Sequence, residues 1–202
     1  GGGVVIATYL TAVADDTDLC YLGGVPGAGL TELFGLRVDE VDTYENPNAN
    51  GQAHSKKNAV SYGEKTFAVS GIAEIVVPKT AKPLAHYTDD FYAGTGALFE
   101  NDFGKGKAYY MGFEQDGDFQ TAFVQSLIPQ LGLKAPMNLS HDDGICIRKR
   151  EGNGEQYYFI MNETDEDKTI TLDKPYQNLL TGDALAGKQT LSACGFLILT
   201  DQ

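Results

Sequence analysis

Residues 59–78 read AVSYGEKTFAVSGIAEIVVP, and this stretch decides how the middle of the chain folds. It is rich in Val, Ile and aromatic side chains, as β-strands are. Gly63, Gly71 and Pro78 divide it into short runs, because these residues mark turns. We predict strands at 59–62, 65–70, 72–77, 84–88, 97–101 and 107–112.

Two further elements flank this β-rich region. Before it, Val4–Tyr9 is a continuous β-branched run and predicts a buried parallel strand. After it, apolar residues recur at three- and four-residue spacing over Asp116–Leu131 and predict a helix. The β-branched run Val4–Tyr9 begins directly after Gly1–Gly3, and the sequence has no initiator Met. We therefore expect a piece cut from a longer chain.

The pattern changes after Pro136, where only short strands and turns follow. Apolar and polar residues alternate in these strands, as in antiparallel sheets that expose one face. The change predicts two domains, 1–135 and 136–202. The strands of the second domain are expected at Gly144–Arg150, Glu155–Asn162, Lys168–Leu172 and Phe196–Thr200.

Composition limits the partners. The chain has 202 residues and a net charge of −13, so nucleic acid and anionic membranes are poor partners. No apolar run approaches the roughly 20 residues that span a bilayer. The chain has an odd number of cysteines, Cys20, Cys146 and Cys194, and apolar residues flank each of them. This pattern predicts buried free thiols and a reducing, cytoplasmic location.

Motifs for catalysis are weak. Cys20 lacks the small flanking residues of a nucleophile elbow, and a structural thiol is the better interpretation. An amidotransferase-like enzyme that uses Cys20 stays open as an alternative. His54, His86 and His141 have no second His or Cys at metal-ligand spacing, so we interpret them as solvated or hydrogen-bonded side chains.

Glycines and acids give no site either. Gly23–Gly29 lacks the Gly-Lys-Ser/Thr ending of a phosphate loop, and Pro26 removes a backbone donor, so we predict a turn or interface loop. Asp15–Asp18 lacks the distal Glu of an EF-hand and is interpreted as a solvated loop. No Asp or Glu stands in a context that marks it as one of the paired carboxylates of a glycosidase.

Aromatic composition bears on sugar binding. The chain has no Trp and 11 Tyr, and sugar platforms rely on broad aromatic rings with a polar edge. A glycan-binding module that uses Tyr157, Tyr158 or Tyr176 therefore stays open as a second alternative.

Several stretches, taken in order, resemble the C-terminal part of a glycoside hydrolase family 42 β-galactosidase. The strongest is Asp90–Gly94, with sequence DFYAG, followed by Phe103–Tyr110. Gly2–Thr11, Leu33–Asp42 and Asn178–Gly182 add to it, and together the stretches cover most of the chain. Each motif is only moderately specific, and their order carries the resemblance.

The resemblance implies a fold and a role. Residues 1–135 would form the family's trimerisation domain, an α/β layer that is flavodoxin-like or glutamine-amidotransferase-like and here N-terminally truncated. Residues 136–202 would form a small antiparallel all-β domain. The family's two catalytic glutamates lie on a TIM barrel, which takes about 250 residues and is absent from this sequence.

The resemblance therefore predicts an inactive assembly fragment. The parent would hydrolyse terminal β-D-galactosides with retention and would be a homotrimer, with substrate bound by the absent barrel. No catalytic residue, cofactor site or metal site is expected within this chain.

Overall fold

The computed structural model describes residues 2–44, 58–115 and 117–201, which form two compact units, Gly1–Leu127 and Ile128–Gln202. Strands dominate both units. The helices among the described residues are α1 (Leu30–Phe34) and α2 (Gly117–Gln130). Within those residues, no helix is both long and apolar enough to cross a membrane.

Each unit is built on one sheet. The first sheet has the order β1-β7-β6-β5-β3-β4-β2, with β8 paired to β4, and the second has the order β10-β11-β14-β12-β13, with β9 paired to β12. The strands of the first sheet are β1 (Val4–Thr8), β2 (Leu36–Thr43), β3 (Asn58–Tyr62), β4 (Lys65–Pro78), β5 (Lys82–Tyr87), β6 (Gly96–Phe103), β7 (Gly106–Met111) and β8 (Phe113–Gln115). Those of the second are β9 (Leu139–His141), β10 (Ile145–Gly152), β11 (Glu155–Asn162), β12 (Lys168–Asn178), β13 (Ala184–Leu191) and β14 (Phe196–Asp201).

The prediction of a flavodoxin-like or amidotransferase-like α/β layer over residues 1–135 is wrong. Such a layer alternates parallel strands with helices, whereas here β1 and β7 are the one parallel pair among the described strands. The physical reason is the connections: tight turns at Gly63–Glu64 and Gly104–Lys105 join consecutive strands, which must then run antiparallel. The first sheet is mixed and mostly antiparallel, and every pair in the second sheet is antiparallel.

Strand β4 shows how one residue shapes the sheet. The two strands predicted at 65–70 and 72–77 are a single strand with Gly71 at its middle, where φ is 73°. This left-handed conformation favours glycine, and an added Cβ would lie 1.9 Å from Glu114 Oε2, so that side chain would also have to move. The first half of β4 pairs with β3 and the second half with β2.

The prediction of a buried parallel strand at β1 is confirmed in its direction but not in its burial. It pairs in parallel with β7, with Val4 opposite Lys107 and Thr8 opposite Met111. It is not buried, since it lies at the edge of the sheet and Val5 and Ile6 are 45% and 46% exposed.

Two apolar clusters cover opposite faces of the first sheet. Helix α2 was predicted over Asp116–Leu131 and spans Gly117–Gln130; it buries Phe119, Phe123 and Leu127 on one face. The Phe119 ring meets Phe113 with 4.8 Å between centroids. Alternate residues of β7 point the other way, and there Tyr110 packs against Phe34 of α1.

The second unit has its own core, formed on one face of its sheet. Buried Asn162 closes that core at one end: its amide nitrogen donates to the carbonyls of Glu166 and Ser192, and its oxygen accepts from the Thr164 amide and hydroxyl. The buried core residues are Met137, Tyr158, Ile160, Ile170, Leu172, Tyr176, Leu191 and Leu199.

We expect Gly35→Ala to destabilise the first unit. Gly35 has a φ of 64°, and its carbonyl accepts the amides of Lys79, Thr80 and Ala81. An added methyl would lie 2.3 Å from Thr80 Oγ1 and 2.5 Å from Asn101 Oδ1. Left-handed backbone strain and overpacking together should lower the free energy of unfolding by about 2–5 kcal/mol, measured by urea unfolding.

Gly104→Ala is the matched control for that substitution. Gly104 has a similar φ of 59°, but nothing lies within 4 Å of its added Cβ. The control should therefore show only the backbone strain, about 1–2 kcal/mol. Equal losses in the two variants would show that the close packing around Gly35 contributes nothing.

Candidate functional site

The loop after β1 is closed by its own hydrogen bonds. We call residues 13–22 the acidic loop. Asp15 Oδ1 accepts from the Thr17 hydroxyl at 2.7 Å, the Thr17 amide at 2.8 Å and the Leu19 amide at 3.1 Å. These bonds, led by that from the Thr17 hydroxyl, lower the pKa of Asp15. Ala14 pairs with Cys20, and the Tyr21 amide donates to the Val13 carbonyl, so the loop is a short hairpin.

This arrangement does not favour a cation site, because Asp15 already accepts three donors from its own loop. Among residues 2–44, 58–115 and 117–201, no three His, Cys, Asp or Glu side chains are grouped to hold a metal ion. The absence of a metal requirement stays a prediction.

The glycine-rich stretch packs against the acidic loop. The Gly27 amide donates to the Ala12 carbonyl at 2.9 Å, and Val25 pairs with Val38. A Cβ at Gly27 would lie 2.0 Å from Tyr21 Cδ2, so the Tyr21 ring rests on bare backbone. The stretch is a packed turn, in which glycine allows this close approach.

The cysteines and histidines are scattered. All three cysteines are free, as expected, but Cys20 and Cys194 are exposed and Cys146 is half-buried, so the prediction that they are buried is wrong. His86 lies on β5, and exposed His141 has its Nδ1 2.8 Å from the Asp142 carbonyl. His54 lies outside the described residues. In the described part of the chain, no hydrogen bond joins Cys20 to a histidine.

The carboxylate with the most unusual surroundings is Glu74 on β4, which the sequence reasoning did not single out. Its side chain is completely buried. Oε1 accepts the Leu10 amide at 2.9 Å, and Oε2 accepts the Tyr110 hydroxyl at 2.8 Å. Burial raises the pKa of Glu74, although these two bonds oppose the shift. The Tyr87 hydroxyl contacts the Glu74 and Gly112 carbonyls and packs beside this group.

Glu74 cannot act on a substrate in this arrangement. A general acid needs a raised pKa, which Glu74 has, but it must also reach the leaving group. Both of its oxygens face protein donors, and no part of it meets solvent. Its role is structural: its hydrogen bond to the Leu10 amide connects the segment after β1 to strand β4.

The motif that carries most of the resemblance is held by a second polar cluster. The hydroxyls of Tyr44 and Tyr92 hydrogen-bond to each other, and the Tyr92 hydroxyl donates to Asp42 Oδ2 at 2.9 Å. The Asn58 amide nitrogen donates to the Tyr44 hydroxyl and to the Asp89 carbonyl. Together these bonds fix the turn that carries Asp90–Gly94, so the motif has a structural function here.

The tyrosines of the second unit are also structural. Tyr158 and Tyr176 are buried and meet edge to face, with 5.6 Å between ring centroids. Their hydroxyls donate to Gln156 and Asp173. These two rings cannot offer a surface on which a sugar stacks. Tyr157 is half-buried, and its hydroxyl donates to Glu155.

Both units match domains of known proteins. The family model of the beta-galactosidase trimerisation domain matches residues 1–134, and that of the beta-galactosidase C-terminal domain matches residues 144–201. The fold is therefore that of two accessory domains of a glycosidase. The chain belongs to glycoside hydrolase family 42, the β-galactosidases.

Relatives and solved structures agree. Beta-galactosidase GalA of Bacillus licheniformis is 33% identical over 190 residues, which are 94% of this chain and 27% of that protein. Beta-galactosidase Pbg of Clostridium perfringens is 31% identical, over 98% of this chain and 29% of that protein. The structure of a Bacillus circulans beta-galactosidase superposes with a TM-score of 0.83 at 29% identity, over 100% of this chain and 29% of that one. The chain thus spans less than a third of the length of these relatives.

We expect the substitution Glu74→Gln to change how stability depends on pH. The pKa of Glu74 is raised in the folded chain, so its contribution is fully favourable below the ordinary pKa of about 4.3 and is lost as the pH rises through the raised value. Gln keeps the size and can accept the Leu10 amide without carrying a charge. The variant should therefore gain stability relative to wild type as the pH rises, measured by urea unfolding between about pH 4 and pH 8.

Glu100→Gln is a control with the opposite sign. Burial tends to raise the pKa of Glu100, but hydrogen bonds from Lys107 and Tyr109 outweigh it, so the net pKa is lowered. Stability from Glu100 is present above its ordinary pKa and lost as the pH falls. This variant should lose stability relative to wild type at neutral pH and recover in acid. If the stability difference between Glu74→Gln and wild type did not vary with pH, the raised pKa of Glu74 would be contradicted.

Proposed function

We propose that this chain is the assembly part of a longer β-galactosidase and does not itself catalyse hydrolysis. The observation that carries the proposal is the pair of domain matches, trimerisation and C-terminal, on a chain that spans 27–29% of its relatives. In this proposal residues 1–135 and 136–202 are the two domains. The parent hydrolyses terminal β-D-galactosides with retention, using two glutamates outside this chain.

The surroundings of Glu74 and Asp15 support the proposal that catalysis takes place outside this chain. Retaining glycosidases need two carboxyl groups about 5–5.5 Å apart, open to the sugar. Glu74 has the raised pKa of an acid catalyst but is sealed inside the sheet. Asp15 has a lowered pKa and is bonded to its own loop. Glu74 is therefore not available to a galactoside, and the lowered pKa of Asp15 is the opposite of what an acid catalyst needs.

The proposed location is the cytoplasm. All three cysteines are free, and free exposed thiols persist where disulfides are kept reduced. The contribution of this chain to the parent is positional: it holds the catalytic parts of three subunits in a fixed relation.

The first test is the solution mass of the chain, by light scattering over a concentration series. We expect a mass near three times 21.8 kDa at the upper concentrations. A monomer at every concentration would contradict an assembly role for these residues on their own.

The second test is hydrolysis of a chromogenic β-galactoside. We expect no turnover by the purified chain. Turnover that stays with the chain through repeated purification, at a constant ratio of activity to chain, would overturn the proposal that the chain is not catalytic.

A further inference from the structure

Residues 10–22, which include the acidic loop, form a segment that we call the flap. None of its residues is buried, although Leu10, Leu19 and Leu22 are among them. Among the described residues, one hydrogen bond ties the flap to a strand other than β1, and it runs from the Leu10 amide to Glu74 Oε1 on β4. A segment with few buried contacts opens locally at a low cost in free energy. The position of the flap therefore depends on the bond between Leu10 and Glu74.

The flap has the build of a body that moves as a whole. The Tyr21 amide donates to the Val13 carbonyl at 3.1 Å, and the bonds of Asp15 also lie within the flap, so opening does not break them. The chain after the flap passes through Gly23 and Gly24, where φ is 97° and 125°. Nothing lies within 4 Å of a Cβ built at Gly23. Glycine in open space absorbs changes of backbone angle, so this end can act as a hinge.

The other end of the flap is strained while it is closed. Leu10 and Ala12 have φ values of 57° and 51°, in the left-handed region that residues with a Cβ rarely adopt. Such strain persists only where the surrounding structure holds it. At Leu10 the restraint is the bond to Glu74, so loss of that bond would let the strain relax.

Glu74 is a buried carboxylate without a cation. Its side chain is completely buried, and among the described residues no Lys, Arg or His forms an ion pair with it. The titratable groups that face it are Tyr110 of β7, which donates to Oε2, and Tyr87 of β5, which donates to the Glu74 carbonyl. Burial raises the pKa of both tyrosines, so they stay neutral at neutral pH. From β2, Val41 lies opposite Glu74 and brings no charge.

The remaining charged groups near the flap are acidic. Glu114 of β8 acts on Tyr9, directly before the flap, where burial and then the Glu114 charge raise the pKa of Tyr9. Asp16 and Asp18 are exposed within the flap itself. None of these acids can neutralise a charge on Glu74, and a second negative charge opposes its ionisation.

We propose that the flap is a pH-sensitive latch, closed while Glu74 is protonated and released when Glu74 ionises. A protonated carboxyl still has an oxygen that accepts the Leu10 amide. An ionised carboxyl without a cation is unfavourable in the interior, and movement of Leu10 lets water reach it. This inference does not depend on the proposed assembly function.

The sign of the pH dependence follows from the two states of the flap. In the closed state the pKa of Glu74 is raised, whereas hydration in the open state returns it towards its ordinary value of about 4.3. Opening therefore releases a proton at any pH between these two values. The flap is closed at acid pH, opens more often as the pH rises, and reaches a constant opening above the raised pKa.

Amide hydrogen exchange by NMR tests the latch in the purified chain. Exchange rates relative to an unstructured peptide at the same pH give the opening constant of each amide. The Leu10 amide, bonded to Glu74, and the Gly27 amide, bonded to the Ala12 carbonyl, should open up to about tenfold more per pH unit above pH 4.3. The Tyr21 amide, bonded within the flap, should keep its protection. A Leu10 opening constant that does not vary with pH, or an equal change in the amides of strand β6, would show that there is no latch.

Two variants assign the pH dependence to Glu74. Glu74→Gln removes the ionisable group and should make the opening at Leu10 independent of pH. Tyr110→Phe removes one donor to the carboxylate, which raises the pKa of Glu74 further, so the opening should level off at a higher pH than in wild type. Tyr110→Phe keeps the carboxylate and tests the latch even if Glu74→Gln does not fold. An unchanged pH profile in Tyr110→Phe would contradict the proposal.

The matched control neutralises acids of the flap that do not contact Glu74. Asp16→Asn with Asp18→Asn removes two exposed charges, and Asn tolerates the φ of 61° at position 18. This variant should keep the wild-type pH dependence at Leu10. If the dependence disappears in the control, the charges of the flap cause it and the assignment to Glu74 is wrong.

Discussion

The first unit depends on a carboxylate buried inside its sheet. Glu74 accepts the Leu10 amide with one oxygen and the Tyr110 hydroxyl with the other, so it connects the end of β1 to β4 and β7. A buried charge is tolerated only when it is hydrogen-bonded, because desolvation is otherwise too unfavourable. The bond to Leu10 holds the chain just after β1, ahead of the acidic loop.

Local patterns in the sequence predicted several elements well. Helix α2 differs from its predicted bounds by one residue at each end, since Phe119, Phe123 and Leu127 repeat at helical spacing and contact the sheet. Strands 59–62 and 107–112 also lie where expected. These elements bury one face each, and burial is what creates a periodic pattern.

Other features had no local signal. Gly71 marks a bend within β4, and a glycine alone does not distinguish a bend from a turn. Strand β13 was not predicted, because apart from Leu185 and Leu191 its residues are small or polar; its pairing to β12 defines it. The α/β prediction failed for another reason: the tight turns at Gly63–Glu64 and Gly104–Lys105 did indicate antiparallel neighbours, but the prediction followed the family resemblance. Glu74 did leave a signal, as the single acid within the apolar run Ile72–Val77.

The unpaired side of β1 has a consequence for how the chain behaves in solution. Among the described residues, no strand pairs with that side, and Val4–Thr8 carries no charge, no proline and no bulge to block strand addition. Backbone amides and carbonyls there can accept a strand from any neighbour. Self-association through this edge would therefore persist when salt is added, since salt screens contacts between charged side chains but does not weaken backbone strand pairing. A mass that persists at high ionic strength would exclude a contact that depends on surface charge alone.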